Sequence, residues 1–201
     1  YGMYLLHNDL LYKEDCGLLA DPNTGTHLIK YHDLCQMNKT QIADRLRSAR
    51  YVILGGSGFS GYNMEFNADN GIYRMTVDRT TEIKESKIFE DLYNRLRPIL
   101  INKNTIILTH TPKKDWCREA EPDKNYVYVS GHTHRNFFYD DGEYRVYSDN
   151  QVGYHSEDPH LKTFLIDNDY DCFSDYEDGI FEVTSEQYND FYLSLIHISE
   201  P

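Results

Sequence analysis

Thr105-Ile106-Ile107-Leu108-Thr109-His110-Thr111-Pro112 and Tyr126-Val127-Tyr128-Val129-Ser130-Gly131-His132-Thr133-His134 decide how this chain is read. Each opens with a short apolar run rich in β-branched or aromatic residues, the pattern of a buried strand, and each passes at once into a histidine. Loops at strand ends are where a rigid scaffold offers side chains to solutes. His132 and His134 are two residues apart, so in extended backbone their rings lie on one face. Neutral imidazole is the commonest transition-metal ligand, and Gly131 lets the backbone come close to an ion. His-x-His alone is a weak signal. A separate histidine, His110, after a second strand makes His110, His132 and His134 candidate metal ligands.

Outward from these stretches, helical and strand signals alternate, which predicts an α/β domain. Tyr1 to about Glu14 reads as a short helix, and Asp21-Pro22-Asn23 with Thr24-Gly25 as turns. His27 to Leu34 alternates like a strand. Gln41 to Arg50, with Thr40 as N-cap, reads as a helix. Tyr51-Val52-Ile53-Leu54 is a buried strand running into Gly55-Gly56 and a loop that continues through Asn70-Gly71. Between Thr80 and Leu100, Ile83, Ile88, Phe89, Leu92 and Leu96 follow a helical period, with Pro98 near the exit. Asn136 to Tyr139 and Tyr144 to Tyr147 flank Asp140-Asp141-Gly142-Glu143 as a hairpin. Leu161 to Ile166 and Ile180 to Val183 add strands, and no internal repeat or linker interrupts the chain.

The 201 residues carry a formal charge of −13, spread along the whole chain. That field argues against a nucleic-acid or anionic-membrane partner, and a phosphate bound here calls for metal. Cys16, Cys35, Cys117 and Cys172 are far apart and form no Cys-x-x-Cys pair, so the sequence predicts reduced, structural cysteines and a cytoplasmic protein. No stretch has the length of a membrane span. The chain opens on Tyr1-Gly2-Met3 inside an apolar segment, which predicts a native start further upstream. Residues 193–201, Leu193 to Pro201, look like the translation of a transposase-type sequencing adapter and are read as non-native, which removes His197 from the candidate ligands. A single domain over residues 1–192 remains.

The phrases around the three histidines resemble the last two motifs of calcineurin-like metallophosphoesterases: an isolated histidine after a strand, then Gly-His-x-His. Leu54-Gly55-Gly56-Ser57-Gly58-Phe59 and Phe66 to Arg74 are similar to a bacterial or phage branch of that family, as are Asp115-Trp116 and Ser148 to Tyr154. The resemblance covers most of Tyr1 to Tyr192. It implies an α/β fold with a two-sheet β-sandwich flanked by helices, incomplete at its N-terminus. It also implies a cofactor of two divalent metal ions (Mn, Fe or Zn), His110 and His132 on one and His134 on the other. Such a pair binds phosphate oxygens, activates a water and stabilises charge during in-line displacement, which is phosphoester hydrolysis.

No G-D-x-x-D or G-N-H-[DE] motif occurs in these residues, and the D-x-H match at Asp158-Pro159-His160 follows Gly131-His132-Thr133-His134 where the family's D-x-H precedes it. The expectation is that the family's three motifs preceded Tyr1, in keeping with a helix at Tyr1 like the one that follows G-N-H in the family. The chain as given is then inactive. The alternative is a non-catalytic metal-binding or regulatory module, and a cupin-like module is a structural competitor. The cupin's glutamate is misplaced here, because the next one after His134 is Glu143. His7, His27, His32, His155 and His160 read as surface or hydrogen-bonded side chains. Gly55 to Gly58 reads as a turn, because no lysine follows as in a P-loop. Arg135 and Asn136 either touch substrate or start the hairpin, and Asp115, Trp116, Asp149 and Asn150 are candidates for orienting ligands.

Overall fold

The structure, a computed structural model, describes residues 4–14, 24–56, 59–64, 77–119, 121–132, 137–140, 144–148, 161–164 and 180–183. It is mixed α/β. Strands β1 (Asp9–Glu14), β2 (Thr26–Ile29), β3 (Ala49–Gly56), β4 (Asn104–Thr109), β5 (Tyr126–Ser130), β6 (Phe137–Asp140) and β7 (Arg145–Ser148) form one sheet. Its order is β2-β1-β3-β4-β5-β7-β6. Strands β3, β4, β5 and β7 run parallel, and antiparallel strands flank them on both sides. A separate ribbon pairs β8 (Leu161–Phe164) with β9 (Ile180–Val183), where the sequence predicts strands. The helices are α1 (Tyr31–Gln36), α2 (Lys39–Arg45), α3 (Arg79–Leu100) and α4 (Lys113–Trp116).

The expected helix from Tyr1 to Glu14 is a strand over its described second half. Leu10 and Tyr12 are 0% and 5% exposed, a period of two, and β1 pairs on both sides, with β2 and β3. Short apolar runs fit either period, and sheet pairing on two flanks overrides local helix preference. The expectation that a helix opens the chain, and the support it lent to missing upstream motifs, goes with it. Strand β2 is also shorter than expected. It gives way to α1, whose first turn is held by Asp9: its two carboxylate oxygens accept from the Tyr31 amide (2.8 Å) and the Lys30 ammonium (2.9 Å). Helix α2 is capped by Asn38 instead of Thr40, in a reciprocal box with Gln41 (2.9 and 2.8 Å).

Helix α3 connects β3 to β4 and lies against the sheet. Asp78 caps it, accepting from the Thr81 amide at 2.8 Å. Phe89, Leu92, Tyr93, Leu96 and Leu100 face the core as the periodicity predicts, and the helix runs two residues beyond Pro98. Its first turns depart from the pattern: Ile83 is exposed, while Glu82, Ser86 and Glu90 are buried. Those polar groups face a loop that follows β3. The core gathers Leu10, Tyr12, Val52, Leu54, Ile107, Tyr126 and Tyr128 from one sheet face with α3 and Trp116. Ile106, Val127 and Val129 make a second buried cluster on the other face, with Ile53 and Leu108 against it. Both faces of β4 and β5 are therefore dry, as their uninterrupted apolar runs require.

Cys35 is free and exposed, and Cys117 free and buried. No helix among the described residues is long and apolar enough to cross a membrane.

Candidate metal centre

Parallel pairing sets two of the predicted ligands side by side. Thr109 of β4 is level with Ser130 of β5, and the ladder continues one step further through a hydrogen bond from the Gly131 amide to the His110 carbonyl (3.0 Å). His110 and His132 thus leave neighbouring strands at the same, carboxyl, edge. Their rings meet edge to face, centroids 5.0 Å apart, with His132 Nδ1 3.2 Å from His110 Nε2. Two nitrogens bound to one tetrahedral zinc at the usual bond length lie about 3.3 Å apart. The donor set and its spacing fit one divalent cation, and equally fit a hydrogen bond between two neutral rings in matching tautomers.

The backbone at His132 is unusual. Its φ is 64°, in the left-handed region where histidine is tolerated but disfavoured. Departing from the strand conformation immediately after Gly131 turns the ring back toward β4. His134 lies outside the described residues, with Arg135, Asn136, Asp149 and Asn150. Among the described residues, no third His, Cys, Asp or Glu completes a metal-holding group with this pair.

Asp115 and Trp116 pack behind the edge, each with its own contacts. Trp116 is fully buried between Phe89 and Tyr93, with T-shaped ring contacts at 4.7 and 5.3 Å. Its indole N–H donates to Thr109 Oγ1 (3.3 Å), and Thr109 Oγ1 donates to the Thr111 carbonyl (2.7 Å), so both neighbours of His110 are fixed. Asp115 faces the loop after β3: its carboxylate accepts from Ser60 Oγ (3.1 Å) and Asn63 Nδ2 (2.8 Å), and its carbonyl from the Tyr62 amide (2.9 Å). Ser86 completes the clamp, donating to the Phe59 carbonyl (2.9 Å) and accepting from the Gly61 amide (3.0 Å). A side chain at Gly61 would collide with α3, since a Cβ there sits 2.6 Å from the Glu82 carbonyl oxygen. Phe59 to Asn63 is therefore a docking segment; Gly55 and Gly56, expected in a turn, are instead the last residues of β3, and Ser57 and Gly58 lie outside the described residues.

Behind the clamp is a wall of paired charges. Burial pushes the Glu90 carboxyl up, but hydrogen bonds from Arg118 and the Tyr62 hydroxyl outweigh it and hold it below its ordinary value. The Tyr62 hydroxyl is in turn pushed up to about 12 by burial and by the Glu90 charge. Asp123 accepts from Tyr93 and Arg97. Lys113 is buried against the Tyr93 ring (5.5 Å) and donates to the Glu119 and Glu121 carbonyls. Burial lowers its ammonium's proton affinity. These groups hold loops together.

Adjacent parallel strands joined through helices are an α/β arrangement, so the cupin-like reading, an antiparallel double sheet, does not apply. No protein-family model, no curated protein and no solved structure gives a significant match to this chain.

Proposed function

We propose that this chain is the metal-binding part of a calcineurin-like metallophosphoesterase, a hydrolase of phosphoric esters, with His110 and His132 on one divalent cation and His134 on a second. The observation that carries the reading is the 3.2 Å approach of His132 Nδ1 to His110 Nε2, from adjacent parallel strands at one carboxyl edge. In open α/β sheets ligands bind outside the carboxyl ends of the strands. The burial of both faces of β4 and β5 is what a two-sheet sandwich requires, and supports that finer fold.

When bound, such metals (manganese, iron or zinc) supply Lewis-acid polarisation of a phosphoryl oxygen and an activated water. The chain's own part is to hold imidazoles at coordination spacing, with Trp116 fixing Thr109 behind His110 and Asp115 fixing the loop after β3. An acidic chain meets an anionic ester through the cations, whose charge dominates the local field. The G-D-x-x-D and G-N-H-[DE] residues, and a D-x-H ahead of the histidine motifs, are not among the 201, so this chain takes up metal without turning over substrate.

The test is calorimetric titration with Zn²⁺. Uptake is expected, with affinity reduced at least 100-fold in His110→Ala and in His132→Ala and unchanged in His27→Ala. Equal uptake by all four proteins defeats the reading. Hydrolysis of a nitrophenyl phosphodiester by the purified chain would contradict its incompleteness. The non-catalytic module has no separate observation in its favour.

A further inference from the structure

Trp116 is the only tryptophan in the chain, and it heads a run of oxidisable rings that neither the metal reading nor the loop clamp uses. Its ring meets Tyr93 edge to face with centroids 5.3 Å apart. Its other ring neighbour, Phe89, is a phenyl group that mild oxidants leave intact. Tyr93 in turn meets Tyr126 at 6.4 Å, and its hydroxyl lies 2.8 Å from that of Tyr128. Trp116 and Tyr93 are 0% and 1% exposed. Aromatic rings in such contact, shielded from water, exchange electrons readily. The indole N–H donates to Thr109, the residue before His110, so the run begins one hydrogen bond behind the carboxyl edge.

The run also ends on a proton acceptor. Tyr93 donates to Asp123 Oδ2, and the Asp123 amide donates to the Tyr128 oxygen (2.7 Å), so the bond between the two phenols runs from Tyr128 to Tyr93. Burial first, then Tyr128 and Asp123, push the Tyr93 phenol well above its ordinary value, so at rest it keeps its proton. A phenol that loses an electron becomes a strong acid, and a carboxylate already bonded to it lets electron and proton leave together. Asp123 is half-buried, which gives that proton a way to water. Packing alone asks for no such arrangement, since phenylalanine would fill the place of Tyr93 without burying a hydroxyl.

We propose that Trp116, Tyr93 and Asp123 form a relay that draws an oxidising equivalent away from the carboxyl edge. A one-electron oxidant such as carbonate radical takes an electron from the Trp116 indole and leaves as carbonate. Tyr93 returns one electron to the indole radical cation while its hydroxyl proton passes to Asp123. The products are neutral tryptophan, a tyrosyl radical and a protonated carboxyl. A soluble reductant such as ascorbate supplies the electron that restores Tyr93, and Asp123 gives the proton back. The relay stands on these contacts alone, so its failure would leave the metal reading untouched.

The experiment is flash photolysis of the 201-residue chain at the red edge of indole absorption, where neutral phenols do not absorb, with dissolved oxygen taking up the ejected electron. With one tryptophan, the radical cation starts at Trp116 alone. Expected is conversion of the tryptophan radical band into a tyrosyl band, slower in heavy water. The tyrosyl band should be lost in Tyr93→Phe and should form more slowly in Asp123→Asn, which keeps every ring. Tyr12→Phe, at a buried tyrosine stacked on His27, should match the unmodified chain. Under carbonate radical, mass spectrometry should find more oxidised Trp116 in Tyr93→Phe than in the unmodified chain. An undiminished tyrosyl band in Tyr93→Phe, or no tyrosyl band in the unmodified chain, overturns the relay. So does slowed decay of the tryptophan radical in Cys117→Ser alone, which would make the neighbouring buried thiol the electron donor.

Discussion

Two regions of this molecule bury polar groups at similar depth and treat them in opposite ways. Along the wall between α3 and the loops 59–64, 111–119 and 121–125, carboxylates have matched donors: buried Glu90 has Arg118 and Tyr62, buried Asp115 has Ser60 and Asn63, and half-buried Asp123 has Arg97 and Tyr93. At the carboxyl edge of the sheet, Asn8 and His132 hold left-handed backbones, and Asn8 Oδ1 is buried without a hydrogen bond. A region built only to be stable resembles the wall. The wall has a left-handed residue too, Asn125, so what sets the edge apart is its unsatisfied buried acceptor, a conflict that stability alone would remove.

The contrast predicts that wall substitutions cost stability and spare metal uptake, while edge substitutions do the reverse. The largest effect is expected from Glu90→Ala, which leaves the Arg118 and Tyr62 donors without their acceptor. A loss of about 2 kcal/mol or more in urea unfolding at neutral pH follows, because the exposed Arg118 stays solvated, with Zn²⁺ affinity within twofold. Because the folded Glu90 carboxyl is held below its ordinary value, its contribution is full above the unfolded value and disappears as pH falls through the folded one. The stability gap to Glu90→Ala should accordingly narrow below about pH 4, and a gap constant from pH 7 to 3 would refute the pairing.

Trp116→Phe probes the join between the two regions. Losing the indole's volume and its bond to Thr109 should cost about 2 kcal/mol and also weaken Zn²⁺ severalfold, since Thr109 holds the base of His110. Unchanged affinity would show that the edge does not depend on this support. The smallest effect has the opposite sign. His132→Gly relieves the left-handed backbone and should leave the metal-free chain as stable or up to about 1 kcal/mol more stable, while abolishing uptake. Destabilisation by more than that would move His132 from the edge's account to the wall's.

Much of the core was legible because its signals are local. The runs at Ile106-Ile107-Leu108 and Val127-Tyr128-Val129 are apolar on both faces, the signature of parallel strands, and α3 repeats Phe89, Leu92 and Leu96 at helical spacing. The strand β1 was not legible as such. Leu5, Leu6, Leu10 and Leu11 suit a helix until pairing with β2 and β3 is known, and the pairing comes from residues up to 46 positions away. His110 and His132 were found from strand-end context, but their left-handed and edge-to-face geometry has no sequence signal. The burial of Glu82, Ser86 and Glu90 has no local sequence signal, since only the docked 59–64 segment gives such polar groups a reason to be inside.

The bond from the Gly131 amide to the His110 carbonyl extends the β4–β5 ladder by one rung beyond the strands. The backbone spacing at His110 and Gly131 is thereby inherited from main-chain pitch, and the left-handed turn at His132 alone decides where its ring falls. Fluctuation elsewhere around this edge leaves that spacing intact as long as the central sheet holds.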